Sequence, residues 1–298
     1  MHPISGIRQA TGIAAGLAAA AIWGGTIAMT RLGVAEGAAL GPHDLVLLRF
    51  LGPAALLRPV ALRVLPRLCR ADLPKLLALL AGGGAPFVLL ASAGMEQAAA
   101  ADAGALLPGT MPLWVAAASM LLGRRGPGGF SASQRLGFVL MALAAALVAG
   151  PPLLEGEGWQ GPVLLIAASW LAALYTLALR RAGLLPLEAA ALVSLGSVLL
   201  FLPPYLLALQ PGLGQVGWAE LALQAAWQGV FSGLCAPLAY AFAVSRLGAS
   251  RAAAFGALSP VTSAVSGLLL LGERPELLAA VGLVAAALGV AFAAGWRR

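Results

Sequence analysis

Apolar stretches of bilayer-crossing length follow one another through almost the whole of this chain. A spanning helix needs roughly 20 mostly apolar residues, because the hydrocarbon core is about 30 Å thick and each helical residue rises about 1.5 Å. Ten stretches meet that criterion: 11–30, 44–65, 75–95, 102–122, 134–150, 159–179, 187–209, 218–243, 251–271 and 277–296. Of the 298 residues, 61% are hydrophobic and only 10% charged, with a mean hydropathy of +0.93. Too little polar surface remains to cover a soluble exterior. The expected fold is an all-α integral membrane protein with the lipid bilayer as its surroundings. The first run, behind a lone Arg8, resembles a signal peptide. It continues to Thr30 without a small-residue cleavage site and is taken as an uncleaved first helix.

The net charge of +7 invites a nucleic-acid reading, but its distribution argues against one. With the N-terminus in the cytoplasm, the inner segments hold 15 of the 18 basic residues: Arg8, Arg58, Arg63, Arg67, Arg70, Lys75, Arg124, Arg125, Arg135, Arg180, Arg181, Arg246, Arg251, Arg297 and Arg298. The outer side holds nine of the 11 acids. This bias toward Lys and Arg inside is the usual orientation signal of membrane proteins. It predicts an even number of spans with both termini cytoplasmic. Cys69 falls in a basic loop and Cys235 inside an apolar run, which disfavours a structural disulfide.

The two halves echo each other. Residues 233–275 resemble 83–125: Pro86 aligns with Pro237, Pro112 with Pro260 and Gly123 with Gly272, at offsets of 151, 148 and 149. Trp23, ending "AAIW", aligns with Trp170, ending "AASW", at 147. Five spans per copy is an odd number, so the copies must enter the membrane in opposite senses. The expected architecture is ten transmembrane helices as two inverted five-helix repeats, residues 11–150 and 159–296. Inverted repeats with helices interrupted in matching places point to secondary transporters, with the site where the repeats meet.

With these features the sequence resembles the drug/metabolite transporter superfamily, in its ten-helix EamA-type branch. The residues that carry the resemblance are "WGG" at 23–25, "LRF" at 48–50, "PGTMPLWVA" at 108–116 and "LSPVTSAVSGLLLLGERP" at 258–275. It implies transport of small metabolites across the inner membrane by alternating access, without a cofactor. One departure is Arg124, where the family usually has an acid; at the cytoplasmic end it reads as a topological change. The four-helix multidrug branch uses a glutamate in helix 1 for proton exchange. No carboxylate lies between Ile13 and Thr30, so cation/proton antiport of that kind is disfavoured, and Asp102 is the coupling candidate.

"ADAGALLPGTMPLWVAAASMLLG", residues 101–123, carries Pro108 and Pro112 near its middle. Each proline deprives the carbonyl four residues earlier of its partner. In hydrocarbon such a carbonyl must be met by protein or by water in a cavity. Pro108, Pro112 and their counterpart Pro260 are therefore expected to face a central aqueous cavity, with Trp114 and Ser263 a turn or less away. The alternative is a static kink satisfied by neighbouring Ser or Thr hydroxyls. Arg49, about five residues inside helix 2, is an intramembrane charge and a candidate for drawing anionic or zwitterionic substrates; against this, it could snorkel, or pair with Asp44, Glu96 or Asp102. Trp23, Trp114 and Trp170 offer broad apolar faces with one donor each, or ordinary packing. Ser259, Thr262, Ser263 and Ser266 share a helical face beside Pro260, as pocket lining or as interhelical glue. Tyr240, Tyr175, Thr26, Thr110 and Gln228 carry the same two readings. Glu273 is expected to cap the last helix.

Enzyme chemistry finds no support. The two histidines, His2 and His43, are far apart, no metal-ligand cluster or H-E-x-x-H occurs, and no metal is expected. The expected function is export of amino acids or related carboxylate-bearing solutes. A broad exporter of neutral or cationic toxic compounds and a non-transporting scaffold are the alternatives, and a homodimer is compatible with the sequence.

Overall fold

The computed structural model of the chain describes residues 3–68, 72–121, 130–209, 212–248, 252 and 255–294, with side chains from Gln9 onward. His2, Cys69, Arg70, Gly123, Arg124, Arg125, Arg251, Arg297 and Arg298 lie outside the described residues, as does the Arg8 side chain.

The described residues are helical apart from short connections. The elements are α1 (Pro3–Val34), α2 (Pro42–Val64), α3 (Leu73–Gly83), α4 (Ala85–Gln97), α5 (Ala100–Leu106), α6 (Met111–Leu121), α7 (Ala132–Glu155), α8 (Gln160–Ala182) and α9 (Pro186–Ala208). They continue with α10 (Trp218–Ala225), a π-helical segment (Ala226–Cys235), α11 (Ala236–Leu247), α12 (Ser259–Leu271) and α13 (Leu277–Ala293). Among the described residues, eight helical stretches are long and apolar enough to cross a bilayer: α1, α2, the pairs α3–α4 and α5–α6, α7, α8, α9, and the run from α10 through α11. α12 and α13 are apolar but shorter, with 13 and 17 residues. The protein is thus an all-α, multi-pass membrane protein.

Its burial pattern is that of a bilayer protein. Leu121, Leu154, Leu207 and Leu269 are among the most exposed side chains, whereas alanines dominate the buried set. In water such leucine surfaces would drive association; in lipid they meet a solvent as apolar as themselves. With no hydrophobic drive between helices, contact depends on close approach, which small residues permit. α7 and α13 show this best. A Cβ at Gly137 would lie 2.6 Å from the Gly289 carbonyl oxygen, and one at Gly289 would lie 2.9 Å from that of Gly137. Elsewhere α2 packs on α9, α1 on α11 and α12, and α8 on α3, α4 and α6.

Helical segments restart at each of the paired prolines. Pro86 stands in the first turn of α4, after the extended Gly84, and Pro237 in the first turn of α11, after the π segment. Pro112 and Pro260 occupy the first turns of α6 and α12, behind turns at 107–110 and 257–258. Proline fits there because the first-turn N–H has no intrahelical partner. The π segment absorbs the interruption before Pro237 by longer pairing, with the Ala236 N–H reaching the Phe231 carbonyl. The span read over 75–95 is the stretch Leu73–Gln97, interrupted at Gly84.

Candidate functional site

The break between α5 and α6 is built from hydroxyls. The Gly104 carbonyl, deprived of its partner by Pro108, takes the Gly109 N–H at 3.2 Å. The Thr110 hydroxyl lies 2.5 Å from the Leu106 carbonyl, and Ser169 on α8 donates to the Leu107 carbonyl at 2.8 Å. Trp114 Nε1 donates to Thr110 Oγ1 at 3.1 Å, and its ring meets Trp170 edge-on with centroids 5.7 Å apart. Trp114, Trp170, Thr110 and the half-buried Pro108 and Pro112 thus share one locus. Protein groups meet the Gly104, Leu106 and Leu107 carbonyls.

The second break crosses the first. A Cβ at Gly104 would collide with Ser263 Oγ and lie 3.2 Å from the Pro260 carbonyl, so only glycine lets α5 and α12 meet there. Ser259, Pro260 and Ser263 are all buried, and Ser263 donates to the Pro260 carbonyl at 2.6 Å. The Thr262 hydroxyl lies 2.9 Å from the Ala20 carbonyl of α1. Thr262 thus bonds α12 to α1, Ser263 bonds within α12, and Ser266 is half-buried.

A third locus runs along one face of α1. Trp23 stacks obliquely on Tyr240 of α11, centroids 5.4 Å apart. One turn on, Thr26 accepts from Trp227 Nε1 at 3.2 Å. Another turn on, the buried Gln228 donates to Thr30 Oγ1 at 3.0 Å while its Oε1 accepts from Arg49 Nη1 at 3.0 Å. Arg49 is half-buried, and among the described residues no carboxylate lies within ion-pair distance of it. Asp44, one of the partners expected for it, is fully buried and otherwise engaged. It accepts from the Gly41 N–H at 2.8 Å, the Tyr205 hydroxyl at 2.5 Å and the Gly212 N–H at 3.2 Å.

Glu273 behaves differently from expectation. The N-cap of α13 is Glu276, three residues later. Glu273 Oε2 instead accepts from the Ala100 N–H at the start of α5 at 2.8 Å, and its Oε1 pairs with Arg31 Nε at 3.0 Å. Arg31 Nη1 also donates to the Met95 and Glu96 carbonyls, each at 2.7 Å. An orphan amide at one helix start, orphan carbonyls at another helix end and one ion pair thereby complete each other. Asp102 stands half-buried in the first turn of α5, beside this knot.

Sequence reasoning singled out Trp114, Trp170, Trp23, Tyr240, Thr26 and Gln228, and the structure groups them in two of these loci. It missed Trp227, Gln224, Ser232, Ser169 and Arg31. The polar spacing 224, 228, 232 inside an apolar span was the available signal for two of them.

Residues 159–295 match the EamA-like transporter family. The chain carries an EamA domain. A solved structure described only as "Crystal structure of protein" superposes with a TM-score of 0.59, over 95% of this chain and 97% of that chain at 20% identity, which shows a shared fold. No curated protein matches the chain. The EamA domain spans α8 to α13, so Trp170, Gln228, Tyr240, Ser259, Pro260 and Ser263 belong to it. Trp23, Thr26, Arg49, Asp102, Pro108, Pro112 and Trp114 precede it. Among the described residues no group of three or more His, Cys, Asp or Glu could hold a metal ion. The match over 159–295 is consistent with a transporter of small molecules.

Proposed function

We propose that the protein is a secondary transporter, working as an exporter, that moves amino acids or related carboxylate-bearing metabolites across an inner membrane by alternating access. The observation that carries this reading is Arg49. A guanidinium inside a span has five donors, and here one neutral amide is its partner. An intramembrane charge without a counter-ion is costly unless function uses it, and a planar fork suits a carboxylate. The substrate supplies the missing anion.

Two inverted five-helix repeats, 11–150 and 159–296, are part of the same proposal. Helix pairing supports them. In span order, the first packs on the eighth and ninth (α1 on α11 and α12), as the sixth packs on the third and fourth (α8 on α3, α4 and α6). The second and seventh spans pair with each other, as do the fifth and tenth. In this reading the breaks at Pro108, Pro112 and Pro260 flex between inward- and outward-open states, Trp23, Thr26, Trp114, Trp170, Tyr240, Ser259 and Ser263 border the path, and Asp102 is the coupling acid.

The test is uptake of labelled amino acids and organic acids into proteoliposomes holding the parent, Arg49→Lys or Arg49→Ala. Lysine keeps the charge but loses the fork. Transport of carboxylates should fall about tenfold or more in Arg49→Ala and substantially in Arg49→Lys. Undiminished transport by a folded Arg49→Ala protein would refute the assignment.

A further inference from the structure

Three buried side-chain atoms have no hydrogen-bond partner among the described residues: Ser92 Oγ, Gln224 Oε1 and Ser232 Oγ. Two of them share a span with Gln228, the partner of Arg49. Gln224, Gln228 and Ser232 recur every four residues, which nearly closes one turn, so the three form a stripe. That stripe faces α1 and α2. Gln224 Nε2 donates to the Met29 carbonyl at 2.8 Å, and Gln228 joins Thr30 to Arg49. Its glycines bring the backbones together: a Cβ at Gly229 would lie 3.1 Å from the Leu48 carbonyl oxygen, and one at Gly233 would lie 3.7 Å from that of Arg49. Both orphaned atoms therefore sit about one turn from the Arg49 partner, on either side of it.

These two atoms are unusual within the chain. The hydroxyls of Thr26, Ser119 and Thr176 each bond the carbonyl four residues back, whereas Ser232 does not. Gln224 and Ser232 are only 1% and 3% exposed, so solvent does not meet them. An unpaired buried polar atom costs about 1–3 kcal/mol, and each one in a native structure calls for a reason.

We propose that Gln224 Oε1 and Ser232 Oγ form an acceptor subsite beside the Arg49 donor site, reading a hydrogen-bond donor carried close to the solute's carboxylate. The inference rests on the Arg49 reading above and sharpens it. Arg49 offers donors only, and Gln224 Oε1 accepts only; Ser232 Oγ can accept. A solute with a carboxylate and an adjacent ammonium or hydroxyl group satisfies both sides, whereas a plain carboxylic acid leaves the acceptors orphaned. Sites built to bond a substrate's OH or NH discriminate strongly against analogues that lack it.

Three solutes of one skeleton test this: leucine, 2-hydroxy-4-methylpentanoate and 4-methylpentanoate, bearing an ammonium group, a hydroxyl group and neither. Thermal unfolding of the purified protein over a concentration series of each gives apparent affinities, since binding to the folded state raises its stability. The parent should bind leucine or the hydroxy acid about fivefold or more tightly than 4-methylpentanoate. Ser232→Ala and Gln224→Met should each reduce that preference severalfold. Ser232→Ala removes a hydroxyl with no partner and should leave the ligand-free melting temperature unchanged or raised, which separates lost selectivity from lost folding. Equal binding of all three solutes by the parent, or a preference intact in both variants, would overturn the subsite. In either case loss of all binding in Arg49→Ala would keep the carboxylate reading alive. No binding of any of the three to the parent, or unaltered binding in Arg49→Ala, would overturn both.

Discussion

Arg31 and Glu273 hold together groups that are far apart in sequence, and single substitutions should reveal their weight. Glu273→Ala removes an ion pair and leaves the Ala100 N–H without its acceptor, whereas Glu273→Gln keeps one acceptor oxygen for the Ala100 N–H but turns its NH2 toward Arg31 and loses the charge. The expected loss is about 2–3 kcal/mol for alanine and roughly half that for glutamine, read as a graded fall in melting temperature in detergent. Equal melting temperatures for parent and Glu273→Ala would contradict the geometry. Asp44 gives a second case. Asp44→Asn turns a donor toward groups that are themselves donors, so it should cost more than Tyr205→Phe, which removes one of several bonds. At this scale the sequence was half legible. An arginine in an apolar span announces itself wherever it points, so Arg49 was visible. The long-range pairing of Glu273 was not, because "GERP" reads locally as a helix start and its partners lie 173 and 242 residues away.

At the scale of elements, the crossing of α5 and α12 is the most exacting contact. Gly104→Ala would place a methyl group onto Ser263 Oγ, between two helices that already break there. We predict a destabilisation of about 1–3 kcal/mol for Gly104→Ala, as typical of overpacking, and partial recovery in Gly104→Ala with Ser263→Gly. Yields and melting temperatures of the single and double variants check this; a stable single variant would contradict the close approach. The restarts at Pro86, Pro112, Pro237 and Pro260 were readable because proline's missing N–H constrains helices whatever surrounds them. What meets the freed carbonyls was not readable, since Ser169 donates from another span 62 residues away. The π segment was equally hidden: a shift from four- to five-residue pairing leaves no mark on composition.

For the whole molecule, the charge distribution predicts both ends in the cytoplasm. A cysteine placed at Gly156 in intact cells should react with an impermeant thiol reagent and one at Ser131 should not; the reverse pattern would invert the topology. The apolar runs made the membrane fold legible because bilayer thickness sets helix length directly. The number of full-length spans was less so: α12 and α13 are shorter apolar helices, and in the run read from 251 the described residues 252 and 255–256 are helical before the turn at 257–258. The central claim is carriage of carboxylate-bearing solutes by alternating access, and solute counterflow tests it most directly. Proteoliposomes preloaded with unlabelled leucine are diluted into a trace of labelled leucine, and internal label is followed with time. A carrier exposing one site to each side in turn should drive label transiently above its equilibrium level with the parent protein and not with Arg49→Ala. A monotonic rise matching protein-free liposomes, for leucine and for a panel of other amino and hydroxy acids, would contradict the account.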